Sequence, residues 1–577
     1  MDFAGVAQIV LLVGILTALT PVIGGYMAKV YTGQRVFLSP VFAPIERGTL
    51  RLLGAQASRE QNWKSYAISL VAFSAVSWLL LALILATQSI HPWNPLDLSA
   101  VPWDVNLNTT SSFVTNTNWQ FYAGETTMSY FSQMTGLTVQ NFVSAGVGMS
   151  VAIALIRGIV SRSGDSLGNF WQDMVRSLVY VLVPLAILTT IFFISQGVIQ
   201  NLSDYVGLNT LTGNSQTLAM GPNASQEAIK LIGTNGGGFF NVNSAMPFSN
   251  PNGLTNFIQV LLILLIPAGL TATFGRMVGS RRQGWAIYIA MMILFLVSVA
   301  IVYAAESHGS PAQHLAGITG GNMEGKETRF GIGGSSLFAA VTTVASCGAV
   351  NASMESLTGL GGAMPMANIM TGEVIFGGVG AGLYGMLMMV LLAVFLAGLM
   401  VGRTPEYLGK RIGAAEVKFV MVATLVSPLI MLGGTALAMG TKWGAPSIYN
   451  GGPQGFSETL YAYVSQTGNN GSAFAGYTGF LQPNGNNTGA FGISFADVMG
   501  GLAMIGGRFI PIIAILAVAG ALAGKKVTPE GAGTFRTDTP TFVFLLIGVI
   551  LLVALLTFVP ALLLGPVVQA LSEGTFS

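Results

Sequence analysis

Four short runs of small and polar residues interrupt an otherwise strongly apolar chain: Thr115-Asn116-Thr117-Asn118, Gly233-Thr234-Asn235-Gly236, Ala345-Ser346-Cys347-Gly348 and Gly468-Asn469-Asn470-Gly471. Their last residues lie 118, 112 and 123 positions apart, a quasi-period of the kind that internal duplication leaves. What such runs offer is backbone carbonyl oxygen. Glycine reaches positive φ freely and asparagine is the next most tolerant residue, so successive carbonyls can be aimed inward. Four runs meeting at one axis would replace the hydration shell of a monovalent cation, as carbonyl-built filters do. No catalytic residue is expected among them.

The elements that must position these runs follow from composition. The 577 residues are 52% hydrophobic and 8% charged, against roughly 25% charged in an average soluble domain. Ten apolar stretches, centred near residues 14, 77, 142, 186, 265, 294, 388, 430, 510 and 555, are each long enough to cross about 30 Å of hydrocarbon as a helix. No positive charge and no small-residue cleavage motif mark the first stretch as a signal peptide, so it is expected to be a retained span. The single cysteine, Cys347, excludes an internal disulfide framework. His308 and His314 fall in a loop without carboxylates or thiols at ligand spacing, so no resident metal site is expected. Trp63, Trp78, Trp285 and Trp443 read as interfacial anchors.

Direction comes from the basic residues, which short cytoplasmic loops retain. Nineteen of the 24 Lys and Arg fall in the connections from odd to even spans, for example Arg47 and Lys64, Arg157 and Arg176, Arg276, Lys410 and Lys525. Those loops are therefore inside, both termini are extracytoplasmic, and all four polar runs enter from the outer face. A short stretch before each run reads as a re-entrant pore helix: 108–114, 223–229 with a capping signature at Ser225, 335–340 and 457–462. The C-terminal ends of these helices would add a negative potential beneath the runs.

The expected fold is an all-α integral membrane protein of ten transmembrane helices, with four pseudo-symmetric helix, pore loop, helix repeats around a central pore plus two additional helices. The expected boundaries are 1–65 for the first helix and its cytoplasmic loop, and 66–160, 168–283, 284–411 and 416–526 for the repeats. Their pore loops lie near 105–120, 223–238, 335–351 and 456–473, and 540–577 is the last helix. Gln120, which follows only the first run, is counted with the filter. At Cys347 the carbonyl, rather than the thiol, is the expected ligand.

From Met366 to Gly402 the seventh apolar region would be about 55 Å long as one straight helix, too long for one crossing. Gly377, Gly378, Gly380 and Gly382 predict a broken helix with an irregular middle beneath the filter, acting as a gate; close helix packing is the competing explanation of the glycines. Glu373 and Arg508 cost roughly 2.5 to 3.5 kcal/mol each on insertion scales, so each must face a cavity or a partner. Arg508 is either a fixed charge low in the pore or a bond to pore-loop carbonyls. Glu373 with Arg403 either lines an exit toward a partner or forms a helix-end pair.

The blocks Asn116-Thr117-Asn118-Trp119-Gln120, Gly233 to Asn241, Ser346-Cys347-Gly348-Ala349-Val350-Asn351 and Gly468 to Phe474 resemble those of the KdpA family, within the superfamily of potassium transporters with four pore-loop repeats. The resemblance covers essentially the whole chain. It implies the potassium-binding, channel-like subunit of a bacterial inner-membrane transport complex. Such a subunit takes K+ from the extracytoplasmic side and passes it to a P-type ATPase subunit. It also implies a small periplasm-facing single-span subunit, and in some complexes a very small accessory single-span one. The residues agree on one point: the chain has no Asp-Lys-Thr-Gly phosphorylation motif. The segment from Gly520 to Lys526 is one residue short of a phosphate-binding loop and lacks its hydroxyl. No organic cofactor is expected and K+ is the only metal ion. A stand-alone potassium channel or a cation-coupled symporter would share the filter and differ in energy source. A membrane scaffold would have no reason for four re-entrant polar loops.

Overall fold

The computed structural model describes residues 2–54, 57, 59–162, 164–402, 404–479, 494–529 and 535–572. Among them, ten helices are long and apolar enough to cross a membrane. They are Phe3–Tyr31, Trp63–Ala86, Ser132–Val160, Phe170–Ser195, Gly253–Met277, Arg281–His308, Ala381–Met400, Ala414–Gly440, Phe495–Ala523 and Pro540–Leu571. The chain is an all-α integral membrane protein, and each expected stretch has its helix. The described strands are two small hairpins, Val206–Asn209 with Ser215–Leu218 and Glu406–Tyr407 with Lys410–Arg411.

Local chemistry starts several spans. Asp2 accepts from the Gly5 N–H at 2.6 Å, Asn62 from Ser65 at 3.0 Å, and Asn252 forms a reciprocal capping box with Thr255, satisfying N–H groups that a first turn leaves free. Prolines 21, 267, 428 and 511 lie inside spans, where neighbouring helices absorb the freed carbonyls.

Packing separates a central set of spans from a peripheral one. In the third and fifth spans 83% of the most apolar window is buried within the protein, against 17% in the first and 22% in the eighth. The first span nevertheless lies closely along the fifth: a side chain at Gly24 would collide with the Gly269 carbonyl, and Thr273 Oγ1 donates to the Gly24 carbonyl at 3.1 Å. Small residues at such a crossing let backbones approach where the hydrophobic effect gives no drive.

Four short helices, Trp103–Val114, Asn223–Ile232, Gly331–Val344 and Gly452–Thr467, stand between even and odd spans and end at the four polar runs. Three begin four or five residues earlier than the sequence predicts. None has a side-chain cap: the residues before them are Pro102, Pro222, Phe330 and Gly451. Ser225 lies inside the second helix, its hydroxyl donating to the Pro222 carbonyl at 3.3 Å. Only the second of these starts, Asn223, is buried; Trp103 is 55% exposed. Trp78 is also reassigned, because its indole N–H donates to Ser111 Oγ of the first short helix at 3.2 Å. It braces that helix from within the second span instead of anchoring at the interface.

Candidate ion-binding pore loops

All four short helices end in the same way. After the last helical residues come right-handed caps, Thr115, Gly233, Ala345 and Gly468. The next residue is left-handed in every case: Asn116 at φ 71°, Thr234 at 48°, Ser346 at 43° and Asn469 at 51°. The N–H after that returns to the carbonyl five residues back, Thr117 to Ser112 at 2.9 Å, Asn235 to Lys230 at 2.8 Å, Cys347 to Thr342 at 2.9 Å and Asn470 to Ser465 at 2.8 Å. This is the hydrogen bond of a Schellman motif, in which the left-handed position is usually glycine. Here it is polar and bears a Cβ, and at Thr234 it is β-branched, a conformation that costs of order 1–3 kcal/mol and persists where surroundings over-determine it.

The fourth residue is left-handed again: Asn118 at 54°, Gly236 at 83°, Gly348 at 89° and Gly471 at 100°. At these positions the runs close on one another. A Cβ on Gly236 would strike the Cys347 carbonyl oxygen, one on Gly348 the Asn470 carbonyl, and one on Gly471 the Thr117 carbonyl. Asn118 supplies the remaining junction, its Cβ lying 2.7 Å from where a Cβ on Gly237 would stand. The cycle therefore runs first, second, third, fourth and back to first.

Thr117, Asn235, Cys347 and Asn470 are fully buried, and among the described residues no hydrogen-bond donor reaches their carbonyl oxygens. A buried polar group without a partner costs about 1–3 kcal/mol, so four in one ring call for a ligand or water. The donor set is hard, neutral oxygen without a carboxylate. That chemistry suits a monovalent alkali cation better than Ca²⁺ or Mg²⁺, whose sites use carboxylates.

The side chains of the runs brace the backbone. Asn116 Nδ2 donates to the Gly233 and Thr234 carbonyls at 3.2 and 3.1 Å, while its Oδ1 accepts from Asn235 and Ser144 at 2.6 and 2.7 Å. Thr117 Oγ1 shares hydrogens with Thr115 Oγ1 at 2.8 Å and accepts from Asn469 Nδ2 at 2.9 Å. Asn470 Nδ2 donates to the Thr342 carbonyl at 2.9 Å. Gln120 lies at the edge, its amide pairing with both backbone groups of Gly238 at 2.9 and 3.2 Å. It acts as a strut between the first and second runs. The Cys347 thiol faces the Lys230 carbonyl at 4.0 Å, while its own carbonyl oxygen lies against Gly236 of the second run.

The long seventh region is broken, as its glycines predict: helix Gly359–Met370, an irregular segment 371–380, then Ala381–Met400. Gly372, Glu373, Phe376, Gly377 and Gly380 are all left-handed there. A Cβ on Gly382 would strike the Phe376 carbonyl, and one on Gly380 the Gly148 carbonyl of the third span. The segment is tied to the short helices: the Val379 N–H donates to Thr234 Oγ1 at 2.8 Å, and the Gly377 N–H to the Val344 carbonyl at 3.0 Å. Gly378 lies between them, its Cβ position 3.5 Å from Thr234 Oγ1. Beside the segment is a cavity of about 80 Å³ lined by Glu373, Tyr384, Asn469, Arg508 and Phe558 among others. Arg508 faces Glu373 there and makes no hydrogen bond to a pore-loop carbonyl among the described residues. Arg403 lies outside the described residues.

Sequence reasoning passed over Lys230, Asn243 and Ser144. Lys230 was legible as the one basic residue within the four short helices; Asn243 and Ser144 carry no sequence signal.

Residues 10–571 match the family model described as Potassium-transporting ATPase A subunit, KdpA. Proteins named potassium-transporting ATPase potassium-binding subunit from Brucella anthropi and Mesorhizobium japonicum are each 54% identical over 572 residues, covering 99% of both chains. One of the same name from Granulibacter bethesdensis is 53% identical over 574 residues, again 99% of each.

Proposed function

The chain belongs to the KdpA family of potassium-transporting ATPase A subunits, and from that premise we propose how it works. It is the non-catalytic, potassium-binding subunit of an ATP-driven potassium transporter, with hydrolysis on a partner ATPase subunit. The ring of Thr117, Asn235, Cys347 and Asn470 carbonyls is the K+ site, and the observation that carries this is their burial without donors. The two left-handed positions in each run hold the carbonyls toward the axis, and the interlocked glycines keep the ring at one diameter. Fixed geometry matters because carbonyl cages discriminate by cavity size and field strength.

K+ enters from the extracytoplasmic side of the bacterial inner membrane, a direction supported by the basic loops between odd and even spans. Below the ring it meets segment 371–380, which acts as a gate because it is irregular, rich in left-handed residues and bonded to the helix ends beneath the ring. The four repeats divide as the helix pattern suggests, with the first and tenth spans outside them. A small periplasm-facing single-span subunit, and in some complexes a very small accessory single-span one, complete the complex.

Reconstitution in liposomes tests the assignment. The purified chain alone should give no uphill K+ accumulation, and addition of the ATPase partner with ATP should restore it. Uphill uptake by the chain alone under a sodium or proton gradient would instead identify a symporter.

A further inference from the structure

The four carbonyls that take the five-residue return bond belong to Ser112, Lys230, Thr342 and Ser465, so these residues occupy equivalent places in the four short helices. In two of them the side chain braces the outer end of its own run. Ser112 Oγ donates to the Trp119 carbonyl at 2.9 Å, and Ser465 Oγ accepts from the Gly471 N–H at 3.0 Å.

The second helix has a lysine at this place. Lys230 is fully buried, 2.9 Å from Glu227 Oε2, and its Nζ donates to Asn243 Oδ1 at 2.7 Å. Asn243 Nδ2 in turn donates to the Gly236 carbonyl at 2.7 Å, and Ser244 Oγ holds the other Glu227 oxygen at 2.9 Å. A brace made by one hydroxyl elsewhere is here a relay from ammonium to amide to carbonyl.

Two consequences follow. The carbonyl of the fourth residue is engaged in the second run, whereas those of Asn118, Gly348 and Gly471 receive no donor among the described residues. The donor on Gly236 is also polarised by a full charge, which strengthens the bond in a dry interior. Burying an ion pair is costly compared with burying a hydroxyl, so bracing alone does not account for it.

We infer that Lys230, paired with Glu227, is a positioning residue for cation discrimination: through Asn243 it holds the Gly236 carbonyl and makes the outer ring three-sided in free acceptors. This rests on the reading of the four runs as the K+ site.

The test uses the complete complex, measuring K+- and Rb+-stimulated ATP hydrolysis. The charge-neutral double variant Glu227→Gln/Lys230→Met should raise half-saturating K+ at least ten-fold and compress the K+/Rb+ preference, with the maximal rate kept within two-fold. Asn243→Ala, which leaves the ion pair intact, should do the same and carries the test if the double variant does not assemble. Half-saturation and K+/Rb+ preference both within two-fold of the parent would overturn the inference, as would a fall in maximal rate alone. Gly471→Asp, in a different run, separates the two readings. If it weakens K+ affinity while the Lys230 and Asn243 variants do not, only the positioning role fails; if it too is silent, the site itself fails.

Discussion

Arg508 of the ninth span holds its Nη1 3.9 Å from Glu373 Oε2, which projects from the irregular middle of the seventh. Both groups line the cavity that also touches Asn469 of the fourth run. Arg508 is 5% exposed and Glu373 12%, so each is the main counter-charge available to the other. The pair links the broken span to a rigid one directly beside the proposed ion path.

Removing one partner leaves the other charge largely buried. Glu373→Gln should lower stability by about 2 kcal/mol, within the range for an uncompensated buried polar or charged group. Glu373→Gln/Arg508→Gln should lose less than the two single variants summed. Thermal unfolding of the detergent-purified complex measures this, and strict additivity would show that the two groups do not interact.

Gly236 and Gly471 combine a left-handed backbone with a carbonyl of the next run where a Cβ would stand. Gly236→Asp and Gly471→Asp should each weaken K+ affinity by roughly two orders of magnitude, about 2.7 kcal/mol, while the protein still inserts. The half-saturating K+ of ATP hydrolysis reports it, and an unchanged value in either variant removes that run from the ring.

Thr234 couples ring to gate, since its hydroxyl receives the Val379 N–H at 2.8 Å. Thr234→Val keeps the branched shape and deletes that acceptor, leaving a buried N–H unpaired at about 1–3 kcal/mol. Hydrogen exchange by mass spectrometry should show faster exchange across 371–380. Unaltered exchange there would mean that the Gly377 to Val344 bond holds the segment alone.

Lys410, on the hairpin Glu406–Arg411, is buried and donates to the Gly158 carbonyl at 2.9 Å and the Leu522 carbonyl at 2.6 Å, tying the ends of the third and ninth spans. Burial, aided by the neighbouring Lys525, pulls its pKa down to about 8 from the usual 10.5. Between those values the unfolded chain binds more protons than the folded one, so this group's contribution to stability rises with pH; it is complete above 10.5 and lost as pH falls through 8. The Lys410→Met variant should therefore show a flatter dependence of unfolding temperature on pH from 8 to 10.5. A slope identical to the parent's would refute the assignment.

The ten spans were legible because hydrocarbon thickness demands a fixed length of apolar sequence. The break near Gly377 was legible too, since one straight helix over Met366 to Gly402 would overrun the membrane. Three of the four short-helix starts were not: the helices begin at Trp103, Gly331 and Gly452, ahead of the expected 108, 335 and 457, and no side-chain cap marks those places. The pairing of Gln120 with Gly238 was not legible either, because the two are 118 positions apart, a distance no spacing rule reaches.

By itself, then, the sequence determined the medium, the number of crossings and the four places where backbone must leave the helix, because each depends on local composition and length. Only the tertiary structure decided which carbonyls remain without donors, and that Lys230 stands where Ser112 and Ser465 stand in the neighbouring repeats. Those facts depend on where four segments more than 100 residues apart come together, and contact geometry at that separation has no one-dimensional signature.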